Sequence, residues 1–174
     1  MHMLKQEVAD ILTKTLKPMK GKRIVDLGTG WAESALFFSQ LKPSWKIYTI
    51  DGFGLYGDGR IYSKFDHATV LEIAEKLRSA GNIIQILGES SSVPWELPID
   101  VLFIDADHTQ DGSTKDFLRY SPFLKSGSIV CFDDYTQENN PANGVKNTVN
   151  SILENNNEFT LIYEGYYAAI LKKK

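Results

Sequence analysis

Short strand-like runs recur along this chain, with helix-like segments between most of them, and that alternation limits the folds open to it. Val101 to Ile104 and Ile129 to Phe132 are unbroken apolar runs, as in strands covered on both faces of a parallel sheet. Arg23 to Leu27, Lys46 to Ile50 and Ile83 to Leu87 complete a set of five strands, with the fourth starting at Ile99 and the fifth at Ser128. Helices are expected over Leu4 to Lys17, Ala32 to Leu41, the segment after Asp66 as far as Ser79, Ser113 to Leu124, and Val145 to Asn155. The first of these places Leu4, Val8, Ile11, Leu12 and Leu16 on one face. Pro18, Pro43 and Gly81 supply stops, and Asp66 is a suitable N-cap. Only Phe159 to Tyr163 and Tyr166 to Leu171 are joined by a tight turn, Glu164-Gly165, so they should form a hairpin. Five strand–helix units and a terminal hairpin predict a doubly wound α/β sheet, parallel except for its last strand, between two helical layers.

At 174 residues the chain is expected to be a single domain over 1–174, able to bury roughly two-thirds of its unfolded surface. Apolar residues make up 43% and charged residues 24%, as in ordinary globular proteins. A net charge of −3 offers no overall basic field for nucleic acid, so none is expected as a partner. The single cysteine, Cys131, excludes an internal disulfide and reads as an inert core thiol. No apolar stretch approaches the ~20 residues that span a bilayer, and no leader is evident; the expectation is a cytoplasmic protein with no membrane partner.

The strand ends carry the chemistry. Asp51, Asp105 and the pair Asp133-Asp134 each follow an apolar run, at the sheet edge where ligands of open α/β folds bind. The first strand ends in Asp26-Leu27-Gly28-Thr29-Gly30, a glycine turn. A phosphate-binding P-loop would need Gly-Lys-Ser/Thr, which is missing. The dinucleotide fingerprint fits Gly28 and Gly30 but meets Glu33 at its third glycine, where a carboxylate would repel a pyrophosphate. A nicotinamide oxidoreductase is therefore disfavoured.

Asp26-x-Gly28-x-Gly30-x-Ala32 resembles motif I of class I S-adenosylmethionine-dependent methyltransferases, whose last position is often glycine. That resemblance covers nearly the whole chain and implies a Rossmann-like seven-stranded sheet with an antiparallel last strand. It implies cofactor contacts at Asp26, near the ammonium of the methionine tail, and at Gly28, Thr29, Gly30 and Gly52. Asp51 would bind the ribose hydroxyls. Trp31-Ala32-Glu33-Ser34-Ala35 is similar to a segment of metal-dependent O-methyltransferases in which the serine, here Ser34, helps bind the cofactor carboxylate. Gly88-Glu89-Ser90 is similar to the turn beside the adenine, making Glu89 and Ser90 candidate contacts. The order Asp105, Asp133, Asp134 resembles the ligand set of the catechol O-methyltransferase-like group and implies Mg²⁺, whose preference for oxygen ligands it suits. Phe-Ile-Asp-Ala-Asp-His, Phe-Asp-Asp-Tyr and Gly144-Val145-Lys146 resemble the group that contains macrolide-sugar O-methyltransferases. Asp105 would also face the cofactor. His108 stands where the catechol-type enzymes have a catalytic lysine and is one candidate base; Asp107 is the other. Either could instead cap the next helix, as could Asp111 or Ser113.

The implied reaction is methyl transfer to a hydroxyl of a small molecule. Two other readings stay open: a metal-independent methyltransferase, and a non-catalytic domain that binds S-adenosylmethionine. The acceptor is not legible, although Tyr56, Tyr62 and Tyr135 lie in segments that could line its site. So small a cap leaves either an open cleft or one completed by a second copy, as in a homodimer.

Overall fold

Strand and helix alternate in the structure much as they do in the pattern. The computed structural model describes residues 4–53, 65–136 and 143–174. In chain order these form α1 (Gln6–Leu16), β1 (Arg23–Leu27), α2 (Glu33–Leu41), β2 (Lys46–Asp51), α3 (His67–Ser79) and β3 (Ile83–Leu87). Then come β4 (Ile99–Ile104), α4 (Gln110–Tyr120), β5 (Leu124–Asp133), α5 (Gly144–Asn155), β6 (Phe159–Glu164) and β7 (Ala168–Lys173). One seven-stranded sheet results, in the order β3-β2-β1-β4-β5-β7-β6. Pairings among β1 to β5 are parallel, while β7 runs antiparallel to both β5 and β6. This is the Rossmann-like seven-stranded sheet that the resemblance implies, between two helical layers.

Alternate side chains of each strand feed opposite cores. Ile24, Ile47, Val101, Phe103, Ile129 and Ile170 face α1, α2 and α3, which contribute Leu12, Phe38 and Ile73. Val25, Ile50, Leu102, Val130, Phe132 and Leu171 face α4 and α5, which contribute Phe117 and Val149. β4 lies between β1 and β5, and all six of its residues are buried. Cys131 is fully buried on β5, and burial pushes its thiol well above the ordinary range, as an inert core residue requires.

Three features stand out against the sequence pattern. The connection from β3 to β4, where the sequence offers no helix-like segment, holds none. Pro94 and Pro98 resist one, and Trp95 fills the layer instead, packed against Tyr48 and Tyr120 with its indole N–H donated to the Leu97 carbonyl at 2.6 Å. Second, α4 starts three residues earlier than expected. Thr109 is its cap, with Oγ1 accepting from the Gly112 N–H at 3.0 Å, and Pro122 converts its end to a 3-10 turn. Third, β7 starts at Ala168 rather than Tyr166, because the carbonyls of Tyr166 and Tyr167 accept from Thr136 and Tyr135 after β5, each at 3.1 Å.

The two edges of the sheet differ in charge. Strand starts carry Lys22, Arg23, Lys46 and Lys125, and a hollow there is lined by Lys20, Lys22, Arg23, Lys42 and Lys125 with a single carboxylate, Asp100. Strand ends carry Asp51, Asp105, Asp133 and Asp134. Among the described residues no helix is long and apolar enough to cross a membrane.

Candidate active site

The turn after β1 is stitched to both neighbouring strands. Gly28 donates its N–H to the Ile50 carbonyl and Leu27 accepts from the Asp105 N–H, each at 2.9 Å. Gly28 has φ +94°, and a Cβ there would lie 2.0 Å from the Asp105 carbonyl oxygen. Glycine is thus required by both the backbone conformation and the approach of β4. Ala32 takes a left-handed conformation at the start of α2, with φ 69°. That explains why glycine is common at this point of the motif.

Asp26 is not on the wall of the cleft. It is fully buried beneath the turn, where Oδ2 accepts from the Thr49 hydroxyl at 2.6 Å, and Thr49 in turn meets Thr29 at 2.7 Å. The chain Asp26–Thr49–Thr29 ties β1, β2 and the turn together. This corrects the expectation that Asp26 reaches the methionine ammonium: it holds the turn that would hold the ligand. Burial raises its carboxyl to about 7 despite the Thr49 hydrogen bond. Between pH 4 and pH 7 the folded form therefore holds a proton that the unfolded form has lost, so stability falls as pH rises through that window. Asp26→Asn removes the effect. Its gain over wild type in urea denaturation should grow from pH 5 to about 2 kcal/mol at pH 8. A difference that does not change with pH would contradict this assignment.

Beyond the turn lie two joined hollows that share Gly28, Gly30, Phe65, Asp105 and Ala106. The first, about 410 Å³, is lined by Asp51, Gly52, Phe53, Glu89, Ser90 and Asp107. Asp51 is oriented by two backbone donors, Gly30 N–H to Oδ2 at 2.9 Å and Phe53 N–H to Oδ1 at 2.7 Å. A carboxylate retains acceptor capacity after two such bonds, which suits it to vicinal hydroxyls. Gly52 lies against the Glu89 carboxylate, where a Cβ would come within 2.8 Å of Oε1. Every residue implied for the ribose and adenine therefore borders this one hollow.

The second hollow, about 350 Å³, is lined by Thr29, Trp31, Glu33, Ser34, His108, Asp133 and Asp134, with Leu4 and Lys5 ahead of α1. The His108 ring bridges two acids. Its Nε2 lies 3.2 Å from Asp105 Oδ1 and its Nδ1 lies 3.3 Å from Asp134 Oδ2. The bond to Asp105 raises the imidazole above its ordinary value, against the opposing effect of burial. Ligand atoms of Asp105, His108 and Asp134 all lie within 4.8 Å of one another. Asp133 stands outside that tight group. It is 8% exposed, its Oδ1 has no hydrogen-bond partner, and burial followed by the charge of Asp105 pushes its carboxyl well above the ordinary range. A buried acid with an unused oxygen beside two further acids is a set that fits a hard divalent cation. The structure adds His108 to the group expected from the resemblance.

The two candidate bases face different hollows. Asp107 borders the first, and its Oδ1 accepts from the Thr109 N–H at 2.8 Å, at the entry to α4. His108 borders the second, beside Asp133 and Asp134. Tyr135 corrects another expectation: it is 1% exposed, belongs to the α4–α5 core and donates to Glu164 at 2.9 Å, so it lines no acceptor site. Tyr56 and Tyr62 lie outside the described residues.

Sequence reasoning missed Glu33 and the aromatic pair Trp31–Phe65. Glu33 counted only against a pyrophosphate, although its place in the first helical turn after a glycine loop was a usable signal. Trp31 is 44% exposed, and its ring lies 4.8 Å from that of Phe65, centroid to centroid. Phe65 follows a glycine-rich stretch of sequence and carries no local signal of its own.

A family model described as a methyltransferase domain matches residues 25–135, from inside β1 to just past β5. The chain belongs to that family. No curated protein matches the sequence. Among solved structures, this methyltransferase is similar to a candidate caffeoyl-CoA O-methyltransferase from Staphylococcus aureus, with a TM-score of 0.73 and 19% identity over 99% of this chain and 86% of the other. It is also similar to the O-methyltransferase TomG from Streptomyces achromogenes, solved with S-adenosylmethionine, with a TM-score of 0.69 and 17% identity over 98% and 81%. A third, S-adenosylhomocysteine-bound methyltransferase from Podospora anserina has a TM-score of 0.72 and 15% identity over 99% and 80%. At such identities the likeness establishes the fold of this class I methyltransferase.

Proposed function

We propose that this methyltransferase transfers the methyl group of S-adenosylmethionine to a hydroxyl of a small molecule, in the cytoplasm, as a single domain over residues 1–174. A divalent cation, Mg²⁺, would be held by Asp105, Asp133 and Asp134. The observation that carries the reading is the pair of joined hollows meeting at Asp105. One offers hydroxyl acceptors for a nucleoside, the other a cluster of acids. The solved structures named as O-methyltransferases support the choice of oxygen as acceptor.

S-adenosylmethionine brings an already activated methyl group, so the protein's main task is alignment. Gly28 and Gly30 let the backbone come close to the ligand, Asp51 fixes the ribose, and Ser34 at the start of α2 takes the carboxylate. The cation, when bound, would orient the acceptor oxygens and lower the pKa of a hydroxyl. The His108 ring is held between Asp105, which faces Nε2 at 3.2 Å, and Asp134, which faces Nδ1 at 3.3 Å; either this ring, once one nitrogen is released from its acid, or Asp107 takes the hydroxyl proton.

A thermal-shift series with S-adenosylmethionine and with NAD, each with and without Mg²⁺, tests this. A hundredfold excess of S-adenosylmethionine over its Kd should raise Tm by about 5–10 °C, and NAD should leave it unmoved. Mg²⁺ should add a further shift. No response to S-adenosylmethionine would overturn the proposal, while a response indifferent to Mg²⁺ would overturn its metal.

A further inference from the structure

S-adenosylmethionine ends in a tail with both an ammonium and a carboxylate, so its site needs an acceptor as well as donors. Ser34 and the N-terminus of α2 supply the donors. Most acids of the cleft already face another group. Asp26 lies beneath the turn and borders neither hollow, with Oδ2 bonded to Thr49 and Oδ1 buried without a partner. Asp51 holds the Gly30 and Phe53 N–H groups in the other hollow. Asp105 and Asp134 face the His108 ring. Asp133, whose Oδ1 is likewise unpartnered, borders the same hollow but belongs to the acid cluster assigned to the cation. Glu33 remains. It lines the same hollow as Gly28, Gly30 and Ser34, directly before Ser34 in the first turn of α2. Its Oε2 is shut off from solvent and has no hydrogen-bond partner. A carboxylate oxygen withdrawn from water without a partner is costly, and a charged N–H donor arriving there makes the strongest kind of hydrogen bond available to it.

We propose that Glu33 receives the α-ammonium of the methionine tail, while Ser34 receives its carboxylate. This assignment rests on the cofactor reading above. It gives the tail two adjacent side chains of opposite hydrogen-bonding character on one helical turn. The carboxylate that would reject a pyrophosphate becomes a means of selecting a zwitterionic amino-acid end.

The test compares three ligands by calorimetry on the whole protein: S-adenosylhomocysteine, its analogue without the α-amino group, and 5′-methylthioadenosine, which lacks the tail. Wild type should bind S-adenosylhomocysteine at least about tenfold more tightly than the desamino analogue. Glu33→Gln should lose at least about tenfold in affinity for S-adenosylhomocysteine, bind the desamino analogue almost as well as wild type does, and leave 5′-methylthioadenosine unchanged. Equal losses for all three ligands would show a packing role and overturn the proposal. So would a wild type indifferent to the α-amino group, whatever the variant does. A wild type that binds none of the three would overturn the cofactor reading itself, and Glu33's role with it.

Discussion

Gly28→Ala should destabilise the protein by at least about 4 kcal/mol, enough to leave a large unfolded population at 25 °C. The added methyl would sit 2.0 Å from the Asp105 carbonyl oxygen, and the neighbour is backbone held by its own ladder, not a side chain that can swing away. Relief requires β1 and β4 to separate, and β4 is the most deeply buried strand of the sheet. The positive φ adds roughly 1 kcal/mol more. Gly30→Ala is the control. Its φ of +46° carries a similar conformational cost, but a Cβ there meets nothing within 4 Å because it points into open space beside the hollows that Gly30 lines. It should therefore cost only about 1 kcal/mol in stability. Its affinity for S-adenosylhomocysteine should still fall at least about tenfold, since the methyl takes space that the ligand needs. Urea denaturation and calorimetry on both variants would check this. If the two proved equally stable, the wedge between β1 and β4 would not be what demands glycine.

Replacing Asp133 and Asp134 together by Asn should slow methyl transfer by about a thousandfold, and chelators should not slow the variant further. Affinity for S-adenosylhomocysteine should stay within about twofold of wild type, because the residues assigned to ribose and adenine border the other hollow. Without Mg²⁺ the variant should be no less stable than wild type. It exchanges a buried acid with an unused oxygen for a neutral group and removes like charge beside Asp105. Collapse of cofactor affinity would show that these acids serve the cofactor directly, and full activity in EDTA would show that they bind no catalytic ion.

The strands were most legible where the chain punctuates them. β3 and β4 match their expected limits because Gly88 and Asp105 end their largely apolar runs. β5 is longer than its apolar part because its polar start is held from outside. Ser128 Oγ donates to the Ile99 carbonyl and accepts from the Lys125 N–H, and no local pattern announces a partner on another strand. The same limit applies in the cleft. Asp51, Ser90 and Asp105 could be placed because each ends or closely follows a strand. The burial of Asp26 and the proximity of His108 to Asp134 depend on how separate elements pack.

The unequal edges of the sheet make the molecule an electrical dipole, although its net charge is small. With two positive groups and one negative, the methyl donor is a net cation, and loss of the methyl leaves a neutral product. Long-range attraction toward the acidic rim therefore acts on the donor and not on the spent product. The five cations around the opposite hollow discourage approach from the wrong side. Added salt will slow capture of the donor by screening this field, while capture of the product stays nearly constant. The arrangement of lysines and aspartates thus favours turnover before any contact is made.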